Sequence, residues 1–314
     1  MQKIMTFETL PYFAETTADV VKTPVRGIVL NFAGLGFAHM FSEHDDYTMM
    51  LAQEGILRVI PYFNPWCWMN RQTVDYVDEI IDVLVAHFDL PDDIPIISTG
   101  GSMGGLCSLT YAKYAKRTPR AVVSNCPVCD LPYHYTERRD LPRTLYSAFG
   151  TYEGTLDEAM KSASPLHLAA EMPDIAYHIF HCDADMAVNK EKHSDVFVAA
   201  MRAAEKRVEY TVVPGRGHCD LSPEAKARYD ALPVELILAC GGGGSHDSQR
   251  MYDCGCGGHQ PAASADQRHP HSRCAGVFCA ADVCAQRGAA CIASGGGEQA
   301  SSVCGGGRRG CRLL

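Results

Sequence analysis

The chain has 314 residues, 46% of them apolar and 21% charged, proportions that suit one globular domain or two small ones. The net charge of -9 divides unevenly, because residues 1–239 carry 21 Lys and Arg against 32 acids while residues 240–314 carry seven Arg, no Lys and five acids. An acidic body without a basic stripe argues against nucleic acid as a partner, and no apolar run reaches the roughly 18–20 residues of a membrane span or resembles a signal-peptide core, so a cytoplasmic protein without membrane contact is expected.

Taken in chain order, residues 25–32 (VRGIVLNF) are a β-branched apolar run ending at the turn Ala33-Gly34-Leu35-Gly36, which reads as a buried strand feeding a loop. A helical stretch at about 44–53 leads to a second strand at 56–62 and then to the aromatic loop Phe63-Asn64-Pro65-Trp66-Cys67-Trp68. Val74, Val77, Ile81, Leu84 and Phe88 recur every three or four residues, one face of a long helix. A third strand is expected at 94–98 and a helix at 104–115. Further strands follow at 121–125, 176–181 and 208–213, with helices at about 189–204 and 224–238. Strands alternating with helices of this length imply a mostly parallel sheet covered on both faces, a three-layer α/β fold over residues 1–239. The connection 127–173 reads as longer and less regular, with Tyr133, Tyr135, Tyr146, Phe149 and Tyr152 scattered through it, as a lid or substrate pocket would be.

Periodicity stops after Leu238. Residues 240–314 hold nine of the 15 cysteines and 16 of the 28 glycines, in runs such as CGGGGSH and CGGGRRGC. Such a segment is expected to be disordered and without specific function, a read-through or frame-shifted tail. Its Cys254, Cys256, Cys274, Cys279, Cys284 and His259 lack the paired spacing of a tetrahedral zinc site, so no metal is expected there. The six body cysteines sit mostly in apolar segments, as reduced buried thiols do. Cys126-Pro127-Val128-Cys129 matches C-x-x-C but has no thioredoxin-like setting.

The chemistry concentrates at strand ends. Gly100-Gly101-Ser102-Met103-Gly104 matches G-x-S-x-G between a strand and a helix, where a strained turn exposes a serine Oγ and its neighbours must be small. Neither glycine-rich phosphate loop pattern is present. Serine at its ordinary pKa needs a base, itself oriented by an acid. Two later strand ends supply candidates: His181-Cys182-Asp183-Ala184-Asp185 and Gly215-Arg216-Gly217-His218. The chain order Ser…Asp…His fits this elbow, with His218 as base.

In these residues the chain resembles the α/β-hydrolase superfamily over about residues 20–239, and within it the prolyl-oligopeptidase-like and dienelactone-hydrolase-like serine hydrolases. The family's H-G-x-x-D-x-x-V motif matches His181, Cys182, Asp185 and Val188, with cysteine where glycine is usual, which implies Asp185 as the acid; Asp183 and then Asp130 are the alternatives. The oxyanion donors implied are the N–H of Met103 and, from the loop LNFAGLGF with Ala33 where the family's loop has histidine, that of Leu35, with Gly36 as alternative. Tyr62, Phe63, Trp66 and Trp68 are read as walls of an apolar pocket, and His178 and His181 as packing or supporting residues. The expected function is a serine hydrolase without metal or cofactor, acting on carboxylic esters and lacking the propeller domain of larger relatives. A small peptidase or amidase on short peptides is the alternative, a lactone or C–C hydrolase would use the same residues, and a non-catalytic binding protein on this fold is the rival of another class. No oligomeric state is assigned.

Overall fold

The structure is a computed structural model that describes residues 5–37 and 44–239; the expectations for residues 240–314 lie outside them. The described strands are β1 (Ala14–Thr16), β2 (Gly27–Phe32), β3 (Ile56–Pro61), β4 (Ile96–Gly101), β5 (Ala121–Asn125), β6 (Ala176–Cys182) and β7 (Arg207–Val213), in the sheet order β1-β3-β2-β4-β5-β6-β7. All neighbouring pairs are parallel except β1 with β3.

The helices are α1 (Asp46–Gln53), α2 (Arg71–His87), α3 (Met103–Tyr114), α4 (Leu131–Glu137), α5 (Leu141–Phe149), α6 (Leu156–Lys161), α7 (Pro165–Leu168), α8 (Ser194–Ala203) and α9 (Pro223–Leu238). Alternation along β2 assigns the layers: Ile28, Leu30 and Phe32 pack with Val77, Ile81 and Leu84 of α2 and Leu106 of α3, while Val29 packs with Leu51 of α1 and Leu232 and Ile237 of α9. α8 joins the first face through Phe197, Val198 and Met201 against Val122, Tyr177 and Ile179. Helix α3 is buried from Met103 to Ala112, apolar around its girth because the sheet lies on one side and helices on the other. The three-layer parallel architecture expected from the sequence is the one observed.

One strand had no signal in the sequence, and one expectation is corrected. Ala14–Thr16 pairs antiparallel with the edge of β3, Ala14 opposite Pro61; three residues are too few to show a periodic pattern. Residues 127–173 are regular, forming α4 to α7. Their helices begin at prolines, Pro132, Pro142 and Pro165, or at the capping box of Thr155 and Glu158, and they are too short for an apolar stripe to repeat.

The strand order reverses between β2 and β4. A crevice opens outside the carboxyl ends of a parallel sheet at such a point, and the loops after β2, β4, β5, β6 and β7 all leave from that edge.

Candidate active site

Ser102 stands between β4 and α3 with φ 59° and ψ −124°, a left-handed conformation that costs a non-glycine residue about 1–3 kcal/mol. Its surroundings enforce the turn. A Cβ on Gly104 would lie 2.2 Å from the Phe32 carbonyl oxygen, and one on Gly100 would lie 2.3 Å from that of Gly104, so both motif glycines are required by backbone packing. Ser102 N–H donates to Asn125 O at 3.0 Å, and Ser102 O accepts from Val128 N–H at 3.3 Å, which moors the turn to the end of β5. Among the described residues the Ser102 hydroxyl makes no hydrogen bond.

His218 follows β7, and its Nδ1 is 2.6 Å from Asp185 Oδ2. Asp185 follows β6 with its carboxylate fully buried. Its Oδ1 accepts from the N–H of Ala187 at 2.8 Å and of Val188 at 3.0 Å, and His181 Nε2 stands 3.4 Å from Oδ2. Burial opposes the charge, but these donors outweigh it and hold Asp185 far below the ordinary carboxylate range. Burial likewise opposes charge on His218, yet the bond to Asp185, with Cys126 on the ring's other side, raises it to about 9.

The alternative acids have other partners. Asp183 Oδ1 accepts from Gly215 N–H at 2.6 Å, pinning the loop that carries His218. Asp130 caps α4 through Tyr133 N–H at 3.2 Å. His181 serves as a support, its Nδ1 2.7 Å from Ser194 Oγ, and His178 pairs with Glu209 at 2.9 Å.

Asn125 joins Ser102 to the loop that carries His218: its carbonyl accepts from Ser102, and its Nδ2 donates to Cys219 O at 3.2 Å. His218 Nε2 itself faces Cys219 Sγ at 3.7 Å, with Cys126 Sγ in the same cluster. Sequence reasoning missed Asn125, which no motif marks, and placed no function on Cys126 or Cys219, although both lie beside motif residues. The C-x-x-C pair diverges: Cys126 packs with Cys182, Val213 and Cys219, while Cys129 enters the α8 side of the core.

Met103 opens α3, where the first N–H groups of a helix have no partner within it. The loop after β2 runs beside it, since a Cβ on Gly104 would also come within 2.9 Å of Ala33 O. Gly36 N–H is committed to Pro65 O at 2.8 Å, which removes the alternative donor and ties this loop to the aromatic loop. Tyr62, Phe63 and Trp66 line a cavity of about 320 Å³ with Tyr76 and Ser147. Trp68 is fully buried and donates from Nε1 to Thr144 Oγ1 at 3.1 Å, so it anchors α5 and forms no open pocket wall.

The sequence also gave no sign of a buried network on α4. Glu137 lies against His134 Nδ1 and, at 2.8 Å, His193 Nε2, and accepts from Asn189 N–H at 3.2 Å. Burial disfavours its charge, but the two histidines hold it down at about 2.

A strained serine after β4 and a buried acid–histidine pair on the same sheet edge define the α/β-hydrolase class. Residues 66–239 match the prolyl oligopeptidase family, and the chain belongs to that family of serine hydrolases. No curated protein matches it. Among solved structures it is similar to an acylaminoacyl peptidase of Pyrococcus horikoshii (15% identity, TM-score 0.55, covering 69% of this chain and 38% of that one) and to a puromycin-hydrolyzing peptidase of Mycobacterium tuberculosis (16%, 0.56, 69% and 34%). It is also similar to an esterase of Thermogutta terrifontis (20%, 0.51, 73% and 87%). The chain thus spans little more than a third of the two peptidases. Among the described residues no helix is long and apolar enough to cross a membrane.

Proposed function

We propose that the protein hydrolyses carboxylic esters through an acyl-enzyme on Ser102. His218 takes the serine proton and delivers it to the leaving alkoxide, and Asp185 fixes the imidazole tautomer and balances its charge. The observation that carries this reading is the 2.6 Å bond between His218 and the buried Asp185, on the sheet edge where Ser102 is held in a strained turn. The base and nucleophile close their hydrogen bond when substrate enters, as catalytic contacts that are loose in the free enzyme do. The N–H groups of Met103 and Leu35 receive the oxyanion, and each such donor is worth about 3–4 kcal/mol. Tyr62, Phe63 and Trp66 are read as the walls of the acyl pocket, because they line a cavity of about 320 Å³ at the aromatic loop, which the Gly36–Pro65 hydrogen bond ties to the loop carrying Leu35. Water then deacylates the serine, a sequence that draws on no metal or organic cofactor, and the acidic body fits a small-molecule partner in the cytoplasm better than nucleic acid.

Esters are favoured because an alkoxide leaves more readily than an amine, and because the esterase neighbour is matched over 87% of its length. A short-peptide hydrolase is the second reading, supported by the family match. Hydrolysis of p-nitrophenyl esters beside an aminoacyl p-nitroanilide, in the full chain and in Ser102→Ala, tests both. Ester turnover lost in the variant supports the proposal, preference for the anilide transfers it to the peptidase, and turnover equal in both proteins overturns it.

A further inference from the structure

Around His218 Nε2 the structure places two sulfur atoms that the hydrolytic reading does not use. Cys126 Sγ, Cys219 Sγ and a nitrogen of His218 lie within 4.8 Å of one another, and Nε2 is 3.7 Å from Cys219 Sγ. Two ligands of a tetrahedral zinc ion, with bonds of about 2.3 Å to sulfur and 2.0–2.1 Å to nitrogen, stand about 3.6 Å apart. The Cys219–His218 spacing already matches that value, and Cys126 Sγ, within 4.8 Å of both, closes to it by a movement of about 1 Å or less. The imidazole is also oriented as a ligand, because Nδ1 is bound to Asp185 at 2.6 Å and Nε2 is turned toward the sulfurs. A carboxylate behind a ligating histidine is the usual support of such sites. Both cysteines are free thiols, Cys126 buried and Cys219 partly accessible, so the site has a way in.

We propose that Cys126, Cys219 and His218 bind a thiophilic divalent cation, Zn²⁺ by its geometry, and that the bound ion switches off the hydrolase by occupying the nitrogen that must accept the serine proton. This rests on the reading of His218 as the base. Two thiols and an imidazole select Zn²⁺ over Mg²⁺ or Ca²⁺, which prefer oxygen. Binding converts both thiols to thiolates and releases their two protons, together with the Nε2 proton wherever the ring is charged, with no change of oxidation state, so affinity rises with pH. Three protein ligands leave the fourth position to water.

The neighbouring donors explain why the site is here. Asp185 Oδ1 is spent on two amide donors and its Oδ2 on His218, while His181 is engaged by Ser194 and the Val188 carbonyl. The cluster of His134, Glu137 and His193 has comparable spacing but the wrong tautomer. His193 Nδ1 accepts from the N–H groups of Cys129 and Asp130 at 3.1 and 3.2 Å, so its proton is on Nε2 and points at Glu137. That leaves no lone pair for an ion.

The test uses the full chain with ZnCl₂, and MgCl₂ in parallel, reading ester hydrolysis and iodoacetamide alkylation of Cys219 by peptide mapping, so that the nine cysteines of residues 240–314 stay out of the readout. Zn²⁺ alone is expected to slow alkylation of Cys219 and to suppress hydrolysis, both restored by EDTA. In Cys219→Ser or Cys219→Ala, inhibition by Zn²⁺, taken relative to each variant's own rate without it, is expected to weaken by at least the roughly 10–100-fold that loss of even an outer-shell partner costs. Equal alkylation with and without Zn²⁺ overturns the site. Protection without inhibition, or inhibition undiminished in both variants, overturns the switch. Should the protein prove not to be a hydrolase, protection of Cys219 still reports the ion, so the two failures are distinguishable.

Discussion

The nucleophile turn and the 127–173 connection flank the same sheet edge and differ in what fixes their positions. Around Ser102 the constraint is steric: backbone lies 2.2–2.3 Å from where a Cβ on Gly104 or Gly100 would sit, and α3 behind it is buried along nearly its whole length. In the connection, helices of four to nine residues seat Leu131, Leu141, Leu145 and Phe149 in the core and are set in place by polar contacts: caps from Asp130 and Thr155, Leu166 N–H to Cys129 O at 2.9 Å, and Glu137 between two histidines. A turn that must hold a strained serine cannot yield, whereas a wall that shapes a pocket can be retuned one hydrogen bond at a time. The acid–histidine pair stands between these regimes, with Asp185 buried on two amide donors and His218 partly exposed.

The largest effect is expected at the serine. Ser102→Ala should lower ester turnover by about five to six orders of magnitude while leaving the midpoint of denaturation almost unchanged. Next comes the pair: Asp185→Asn should cost about 10⁴ in kcat by leaving the imidazole in the wrong tautomer. The same variant should move the pH profile. With His218 raised to about 9, only its neutral form serves as base, so kcat/KM of the free enzyme should climb with pH and level off above about 9. Without the Asp185 carboxylate the rise should occur at lower pH. Folding shows the complementary sign: the His218 contribution is fully present below the unfolded pKa of about 6.5 and is lost as pH rises through about 9.

The contrast between steric and polar fastening is sharpened by two milder changes. Gly104→Ala should cost stability at or beyond the upper end of the about 1–3 kcal/mol typical of overpacking, read as a lower urea midpoint, because the obstacle is a backbone carbonyl that cannot turn away. Glu137→Gln should be smaller in its global effect, since a charge-assisted hydrogen bond contributes about 1.5–3 kcal/mol. Its signature should be local, as faster amide exchange in α4 to α7. The carboxyl is held at about 2, so its contribution is present above the unfolded value of about 4.3 and is lost as pH falls toward 2.

The parts legible in the sequence are those whose physics is local or repeats. Val74, Val77, Ile81 and Leu84 announced α2 because a helix face repeats every three to four residues, and 121–125 read as a strand that the structure matches residue for residue. The elbow was legible because glycine is needed where backbones touch. The His218–Asp185 contact was legible only through a motif, since 33 residues separate the partners. What escaped reading was joined across the fold by single contacts: Asn125 between Ser102 and Cys219, Glu137 between α4 and His193, and the thiols around Nε2. Trp68 escaped for a related reason, because an aromatic loop residue gives no sign of whether it faces a cavity or, as here, the Thr144 hydroxyl.

The central claim is that Ser102 is activated through His218 and Asp185, and the most direct measurement is fluorophosphonate labelling of the folded full chain with the modified residue mapped by peptide mass spectrometry. Stoichiometric label on Ser102, strongly slowed in Asp185→Asn and in His218→Ala, is the predicted result. Folded protein that takes no label, or takes it on another residue, would contradict the account.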